Sequence, residues 1–561
     1  MCICATKNAW HPKPTSGRDD KTTMKKRQQI TSSVAGLLVA AFSAITVTAQ
    51  TATPQQPGKR PALVVGIVVE GLSMDYLELL RSQFPEGGFR RLMEHGVTIT
   101  DLDYGTPLDG AAASAMIFTG ASPAVNGIPA ATIYDSETRR PAPVLLDPAT
   151  IGNFTDETLS PKSLTASTLA DELRIDGGGL GYVYAIAPDA TQSIVLGGHA
   201  GNSAFWINDA TGKWATTTYY KDLPAPAQNL NHREPTEYRL DTLQWVPLVA
   251  VDKLPDLPSY KKLYPFRHAF PRSSALRYKA YKNSPAVNTD ITRLASDYIH
   301  ILSLGKREST DMLNLGYTLQ PFMYGRDADT RAEAMDSYLR LDRDLARLFS
   351  TIDAKGPGMD NTLVFIAGTP LTNRSRRDDD KWGLPFGEFS SRKAVSLLNM
   401  YLMAIHGNGE WVSGYHDGQL FLNHKLIKER NKDLRAMRDE SARFLTRMSG
   451  VTNAWTIDDV IDRRATERPD AMRRNTLVTA AGDVFLTIAP GWQETDDDSD
   501  TDAPRTTVRA ASAVAPAFIL APGGKPATIT STVDARAIAP TVAGILRIRS
   551  PNGASLPRIR W

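Results

Sequence analysis

Runs of apolar, largely β-branched residues recur along the chain and alternate with segments of helical periodicity. The run at 62–72 is apolar at most positions, which is typical of a strand buried on both faces of a parallel sheet, and the run at 361–370 predicts a further buried strand. The segment 336–353 instead has apolar residues at three- and four-residue spacing, which predicts a helix that covers such a sheet. The pattern therefore predicts an α/β fold with a mostly parallel central sheet sandwiched by helices.

One stretch, residues 105–128, has the order of strand, turn and helix that presents a catalytic nucleophile. A strand predicted to end near Leu102 is followed by a turn of small residues, a helix from about Ala111 to Thr119, and Gly120. A turn of this kind places the residue before the helix at the tip of a parallel sheet. That residue is Gly110, which has no side chain to act as a nucleophile.

The N-terminal region has the features of a targeting segment. Basic residues at 25–27 precede an apolar run at 34–47, and small residues up to Ala49 supply a cleavage site. The apolar run is shorter than the roughly 20 residues that a membrane span needs. We therefore predict an exported protein, periplasmic or secreted, with no membrane span in its mature form and with Met24 as the true start.

Charge and cysteine content exclude two further classes of protein. The net charge is only +3, and the basic residues are mixed with acidic ones, so no nucleic-acid partner is expected. Both cysteines, Cys2 and Cys4, precede the predicted start. The mature protein is therefore predicted to have neither disulfide nor thiol chemistry.

The run TGASPAVNGI at 119–128, followed by Tyr134 and Asp135, resembles the alkaline phosphatase superfamily. The similar branch contains the phosphate-irrepressible periplasmic alkaline phosphatases and the type I phosphodiesterase/nucleotide pyrophosphatases. The resemblance extends from about Ala62 to Pro557 and implies an alkaline phosphatase-like domain with an inserted cap subdomain. The predicted organisation is an upstream extension at 1–23, a signal peptide at 24–49, a linker at 50–60 and the domain at 61–561, with cap insertions at about 222–270, expected to be irregular, and 385–475.

The resemblance also implies an active site with two zinc ions, but its functional positions are replaced here. The family's Thr or Ser nucleophile aligns with Gly110, nine residues before Thr119. Three positions that would contact the substrate phosphate carry Ala131, Asp189 and Thr191. The positions of the metal ligands carry Glu70, Pro321, Gly325, Thr369, Pro370 and Val508. One carboxylate does not retain zinc, so no metal cofactor is expected.

Replacement chemistry near Gly110 is the alternative to a lost active site. Asp109, Thr106 and Ser114 lie close to Gly110 in sequence, and Glu70 could act with them as a base. Asp109 is otherwise interpreted as a turn residue and Ser114 as a small residue packed within the helix. A ligand-like group at 416–418 is interpreted as a turn.

The sequence therefore favours a catalytically degenerate, exported relative of these hydrolases with a binding or scaffolding role. Its partner, a protein or a small ligand, is unknown. The alternatives are a hydrolase of phosphate mono- or diesters that uses an unconventional active site, and a metal-free binder of a small ligand in the vacated pocket.

Overall fold

A mostly parallel sheet lies at the centre of the fold. The computed structural model describes residues 60–327, 329–370, 387–495, 506–507 and 513–561. Within these ranges the central sheet has eleven strands. From one edge to the other they are β21 (Ala527–Ile529), β2 (Val97–Asp103), β20 (Val514–Leu520), β12 (Thr362–Gly368), β1 (Leu63–Glu70), β11 (Asp311–Thr318), β6 (Val183–Ile186), β7 (Ser203–Ile207), β8 (Trp214–Thr217) and β5 (Gly152–Asn153), with β22 (Val533–Asp534) beside β2.

The middle of this sheet is parallel. Strands β12, β1, β11, β6 and β7 all run in one direction. Strand β20 is antiparallel to both β12 and β2, so β2 runs in the same direction as β1. The predicted α/β class with a mostly parallel sheet is confirmed, and the carboxyl ends of these strands meet at one edge, where α/β proteins bind ligands.

Strand β1 is apolar at nearly every position because both of its faces are buried. Leu63, Val65, Ile67 and Val69 face one hydrophobic core, and the alternate residues, including Val64 and Val68, face a second core on the other side of the sheet. All six are fully buried. A strand that is covered on both faces has no position that favours a polar side chain.

Helices cover both faces of the sheet. Helices α11 (Pro285–Ile301) and α12 (Arg331–Lys355) contribute apolar residues to the first core, and α3 (Gly110–Thr119) and α18 (Ile538–Leu546) contribute to the second. The remaining helices of this part are α1 (Met74–Leu79), α2 (Phe89–His95), α4 (Pro123–Asn126), α5 (Leu169–Asp176), α6 (Ala190–Gly197), α7 (Ala225–Arg233), α8 (Thr236–Thr242), α9 (Ser259–Leu263) and α10 (Arg277–Lys282), with short 3-10 helices at Arg81–Gln83, Pro161–Ser163, Thr218–Tyr220, Val251–Lys253, Met359–Asn361 and Ala535–Ala537.

A second, smaller sheet with its own core lies in the predicted cap. Its strands are β14 (Val412–His416), β15 (Gln419–Leu422), β17 (Val484–Ile488) and β16 (Val451–Thr456), packed with helices α13 (Ser391–His406), α14 (His424–Glu429), α15 (Leu434–Leu445), α16 (Ile457–Ile461) and α17 (Pro469–Asn475). Strand β17 comes from beyond the predicted cap end at 475. Three small ladders complete the described strands: β3 (Thr132–Asp135) with β4 (Arg140–Pro143), β9 (Gln244–Trp245) with β10 (His268–Ala269), and β13 (Glu388–Ser390) with β18 (Gln493–Thr495) and β19 (Thr506–Thr507).

Two predicted segments differ from or lie outside this picture. Residues 222–270, expected to be irregular, form α7, α8, α9 and the β9–β10 ladder, and several of their apolar side chains join the first core. The predicted extension and signal peptide, and all of the predicted linker except Arg60, lie outside the described residues. In the described part of the chain, no helix combines the length and the apolar character needed to cross a membrane.

Candidate functional site

A cavity of about 490 Å³ opens at the carboxyl ends of the parallel strands. Glu70 reaches it from the end of β1, Asp189 from the loop after β6, and Pro321 from the loop after β11. Ile207 at the end of β7 and Asp209 just beyond it form another part of the wall. The fold thus brings residues that are far apart in sequence to the sheet edge at which ligands bind in open α/β sheets.

Most of the site residues predicted from the sequence, both the positions given by the resemblance and the replacement candidates near Gly110, lie around this cavity. Those that line it are Glu70, Asp109, Gly110, Ala131, Asp189, Thr191 and Pro321. Thr106, Ser114, Gly325, Thr369 and Pro370 are not part of its lining. Val508 lies outside the described residues.

The space that a side chain at position 110 would need is filled by Glu70. A Cβ atom built on Gly110 would lie 1.7 Å from Glu70 Oε1 and 2.3 Å from its Cδ. Gly110 does not have a positive φ, so its backbone would accept another residue. In this structure the Glu70 carboxyl group occupies the place where a nucleophilic side chain would begin, so a larger residue at position 110 would fit only if that carboxyl group moved.

The Glu70 carboxyl group is held in an environment that disfavours its charge. Burial above all, and then the neighbouring carboxylates of Asp189 and Asp109, raise the pKa of Glu70 to about 8 against the opposing effect of Lys282. The carboxyl oxygens receive no hydrogen bond from the described residues. Glu70 is consequently protonated to a large extent near neutral pH and can donate a hydrogen bond.

Asp109 fastens the start of helix α3. Its Oδ1 accepts a hydrogen bond from the Ala112 N–H at 2.8 Å, which caps the helix, and its Oδ2 accepts from the Ala131 N–H at 2.6 Å. Burial raises the pKa of Asp109 to about 6 against the opposing effect of these two hydrogen bonds. Both oxygens are thus used in the turn, as the structural interpretation of Asp109 expects.

The other two replacement candidates also have structural partners. Ser114 is fully buried and donates its hydroxyl to the Gly110 carbonyl at 2.6 Å. Thr106 Oγ1 accepts a hydrogen bond from Asn475 Nδ2 at 2.8 Å, and the same amide group donates to the Tyr104 carbonyl. Helix α17 of the cap is thereby tied to the loop that precedes α3, and neither hydroxyl reaches the cavity.

Lys282 is the cavity residue that sequence reasoning missed most plainly. It ends α10, its side chain is 10% exposed, and its Nζ forms ion pairs with Asp189 and, at 2.5 Å, with Asp209 Oδ1. Burial alone would lower the pKa of Lys282, but the two carboxylates outweigh it and the pKa lies above its ordinary value. No local signal distinguishes Lys282 from the other basic residues of α10. Glu157, Gln192 and Trp206 also line the cavity and were not singled out.

The cap reaches the rim of the cavity through a hairpin. His416 precedes the Asp417-Gly418 turn between β14 and β15, and its Nε2 lies 3.0 Å from the hydroxyl of Thr132. The Tyr134 ring stacks on Phe421 with 4.2 Å between centroids. The group at 416–418 therefore forms a turn, as predicted, and this turn also holds the β3–β4 ladder beside the cavity.

The residues described do not fit the pair of zinc ions that the resemblance implies. Thr369 is buried and accepts a hydrogen bond from the Gly71 N–H at 3.4 Å. A Cβ built on Gly325 would meet the His268 ring at 3.3 Å and then Phe322. Within the described ranges, no group of three or more His, Cys, Asp or Glu side chains is arranged to hold a metal ion. A zinc pair needs several carboxylate and imidazole ligands, and Glu70 is the one such group at the described positions that the resemblance assigns to metal ligands.

Comparisons with known proteins agree with this fold over most of the chain. A model of the type I phosphodiesterase / nucleotide pyrophosphatase family matches residues 64–513. The alkaline phosphatase PhoV of Synechococcus elongatus is 27% identical in an alignment of 531 residues that covers 88% of this chain and 92% of PhoV. The alkaline phosphatase PafA of Elizabethkingia meningoseptica is 26% identical in an alignment of 528 residues that covers 88% of this chain and 93% of PafA. The crystal structure of wild-type PafA matches with a TM-score of 0.77 and 25% identity, covering 89% of this chain and 98% of PafA.

Proposed function

Since the chain belongs to the type I phosphodiesterase / nucleotide pyrophosphatase family, we propose that it is a member that binds a ligand in the cavity without hydrolysing it. Its fold is that of an alkaline phosphatase, which supplies the cavity but not by itself the chemistry. We propose further that it acts outside the cytoplasm after export by the predicted signal peptide.

The observation that carries this proposal is the position of the Glu70 carboxyl group over Gly110. Hydrolysis by a covalent route needs a nucleophile in reach of the phosphorus atom. At position 110 that role is absent, and a built Cβ would lie 1.7 Å from Glu70 Oε1. A nucleophilic side chain at position 110 would fit only if Glu70 moved. The loss of the nucleophile therefore involves both Gly110 and Glu70.

The electrostatics of the cavity support the same proposal. A phosphate group is best held by cations and N–H donors. Here Asp189 and Thr191 stand at positions that the resemblance assigns to phosphate contacts, and the Lys282 ammonium is already paired with two carboxylates. A phosphate dianion would be repelled by these carboxylates. The cavity therefore favours a ligand other than a phosphate ester, in keeping with the loss of the nucleophile.

A hydrolase with an unconventional active site is the second candidate, and one observation favours it. Glu70, with a pKa of about 8, lies in the cavity near Asp109, whose pKa is about 6. Two carboxyl groups with separated pKa values are a recurrent acid–base arrangement. In this case Glu70 would donate a proton to a leaving group and Asp109 would have to give up its hydrogen bonds to act as the base.

Metal content and turnover separate the two candidates. The purified protein is dialysed against zinc, its bound metal is measured, and p-nitrophenyl phosphate and bis(p-nitrophenyl) phosphate are supplied with and without zinc. We expect less than stoichiometric zinc and no turnover above the background without protein. Turnover that disappears in Glu70→Gln but persists in Glu137→Gln, a matched change at an exposed glutamate, would establish the hydrolase instead.

A further inference from the structure

The cavity is strongly acidic although the whole chain carries a net charge of +3. Five carboxyl groups line it, those of Glu70, Asp109, Glu157, Asp189 and Asp209, and Lys282 is its one lining cation among the described residues. Even with Glu70 protonated, carboxylates outnumber cations in the wall. A charge imbalance of this size favours a cationic occupant and disfavours an anionic one.

The single cation is not available to an anionic ligand. Lys282 Nζ is paired with Asp189 and lies 2.5 Å from Asp209 Oδ1, so each of its nearest charged neighbours is negative. Its side chain is only 10% exposed, which leaves little room for a third partner. These two ion pairs neutralise the ammonium, and the remaining carboxylates leave excess negative charge in the wall.

A second, independent feature of the cavity is an amide group without a partner. Gln192 is 2% exposed and lines the cavity, yet its Nε2 makes no hydrogen bond with any residue that the structure describes. The side chain packs over Gly316, where a Cβ would come within 2.2 Å of Gln192 Oε1. A buried amide donor that is held in place but left unpaired calls for an acceptor, such as a hydroxyl or carbonyl oxygen of a ligand.

Apolar groups complete the cavity and limit the shape of the ligand. Trp206 and Leu159 form part of the wall, and the Trp206 indole N–H donates to Glu157 Oε2 at 2.8 Å, which fixes the ring. A volume of about 490 Å³ lies in the range of sites for small organic molecules. The flat faces of a sugar ring are suited to such a mixture of apolar wall and polar groups.

We propose that the cavity binds an amino sugar, or a hydroxylated ammonium compound of similar size. Its ammonium group is held by Asp189 and by Glu70, which releases its proton to water when the cation binds, and one of its hydroxyl oxygens accepts a hydrogen bond from Gln192. The ring lies against Trp206. This inference rests on the proposed function, because it takes the cavity to be a binding site and not a site of hydrolysis.

Calorimetric titration with matched probes tests the proposal. Glucosamine and galactosamine are compared with glucose and galactose, which lack the charge, and with glucose 6-phosphate, which carries the opposite charge. We expect both amino sugars to bind at least about tenfold more tightly than the neutral sugars, and the phosphate ester not to bind. Equal binding of charged and neutral sugars, tighter binding of the phosphate ester, or no binding of either amino sugar would overturn the proposal.

Variants locate the site. Asp189→Asn and Glu70→Gln are each expected to weaken amino-sugar binding by at least about tenfold, and Gln192→Leu to weaken amino and neutral sugars alike. Asp189 is half exposed, so its variant keeps the test usable if Glu70→Gln fails to fold. Exposed Glu137→Gln serves as the matched control, and unchanged affinity in all three cavity variants would place binding elsewhere and refute the assignment. If the protein binds no amino sugar and also hydrolyses no phosphodiester, only this inference fails. If it hydrolyses phosphodiesters in a reaction that depends on Glu70, the proposed function fails as well.

Discussion

Replacement of Gly110 by alanine is expected to destabilise the protein because the new methyl group would overlap with the Glu70 carboxyl group. The built Cβ lies 1.7 Å from Oε1, 2.3 Å from Cδ and 3.0 Å from Cγ of Glu70. Ordinary contact begins near 3.5 Å, so the carboxyl group must retreat by roughly 2 Å. Overpacking of this kind costs about 1–3 kcal/mol.

The same substitution should have the opposite sign when Glu70 is shortened. Alanine is favoured over glycine in a helix by up to about 1 kcal/mol, and Gly110 opens α3 without a positive φ. In a Glu70→Ala background, Gly110→Ala is therefore expected to stabilise the protein by about 0.5–1 kcal/mol. The coupling between the two positions is then about 1.5–4 kcal/mol, which is large for one pair.

Urea unfolding of the wild type, both single variants and the double variant measures this coupling as a complete cycle. Gly177→Ala is the matched control, because its Cβ would come no closer than 3.4 Å to the Leu173 carbonyl oxygen. It should behave alike in both backgrounds. Additivity of Gly110→Ala and Glu70→Ala to within about 0.5 kcal/mol would refute the reasoning, since it would mean that the two groups do not compete for one space.

Three further changes test the electrostatics and the capping of the site. The pKa of Glu70 is raised to about 8, so the folded state holds a proton that the unfolded chain loses above its ordinary pKa of 4.5. The free energy of unfolding should therefore fall by on the order of 4 kcal/mol as the pH rises from about 4.5 to about 8. Urea unfolding at several pH values measures this fall, and Glu70→Gln should remove it. An unchanged pH dependence in that variant would contradict the assignment. Lys282→Met leaves the carboxylates of Asp189 and Asp209 facing each other and should lower the free energy of unfolding by about 1–2 kcal/mol. Asp189→Asn in the same protein should recover most of this loss. An unchanged stability of Lys282→Met in thermal unfolding would show that the ion pairs contribute nothing. Asp109→Ala removes the cap of α3 and should cost about 1–2 kcal/mol, whereas Asp109→Asn keeps an acceptor and should cost less; equal losses would mean that charge, and not capping, is what matters.

The elements that the sequence predicts well are those with a long, regular pattern. Strand β1 is predicted by an apolar run that is typical of a sheet covered on both faces. Helix α12 is predicted by apolar residues at three- and four-residue spacing, which is typical of a helix that covers such a sheet. The turn before α3 and the end of this helix were also predictable, since small residues mark the turn and Gly120 marks the end of the helix. The pairing of β17 with β15 was not predictable, because it is set by tertiary contact and leaves no local signal.

The site itself was predictable only in part, for a physical reason. The resemblance indicated which positions should converge, and Glu70, Gly110 and Asp189 do line one cavity. It could not indicate that Glu70 occupies the space beside Gly110, because that depends on the distance between the end of β1 and the start of α3. Lys282 was missed for the same reason, since it reaches the cavity from a helix far along the chain.

The position of β1 has a consequence for the order in which the molecule can form. This strand lies between β11 and β12, whose residues are 311–318 and 362–368, so neither neighbour exists until well over half of the chain has been synthesised. Contacts between such distant segments make folding slow, and an unpaired β-branched run is prone to aggregate in the meantime. Residues 63–70 are therefore expected to stay without both neighbouring strands, and to be prone to association with other chains, until residue 368 has been added.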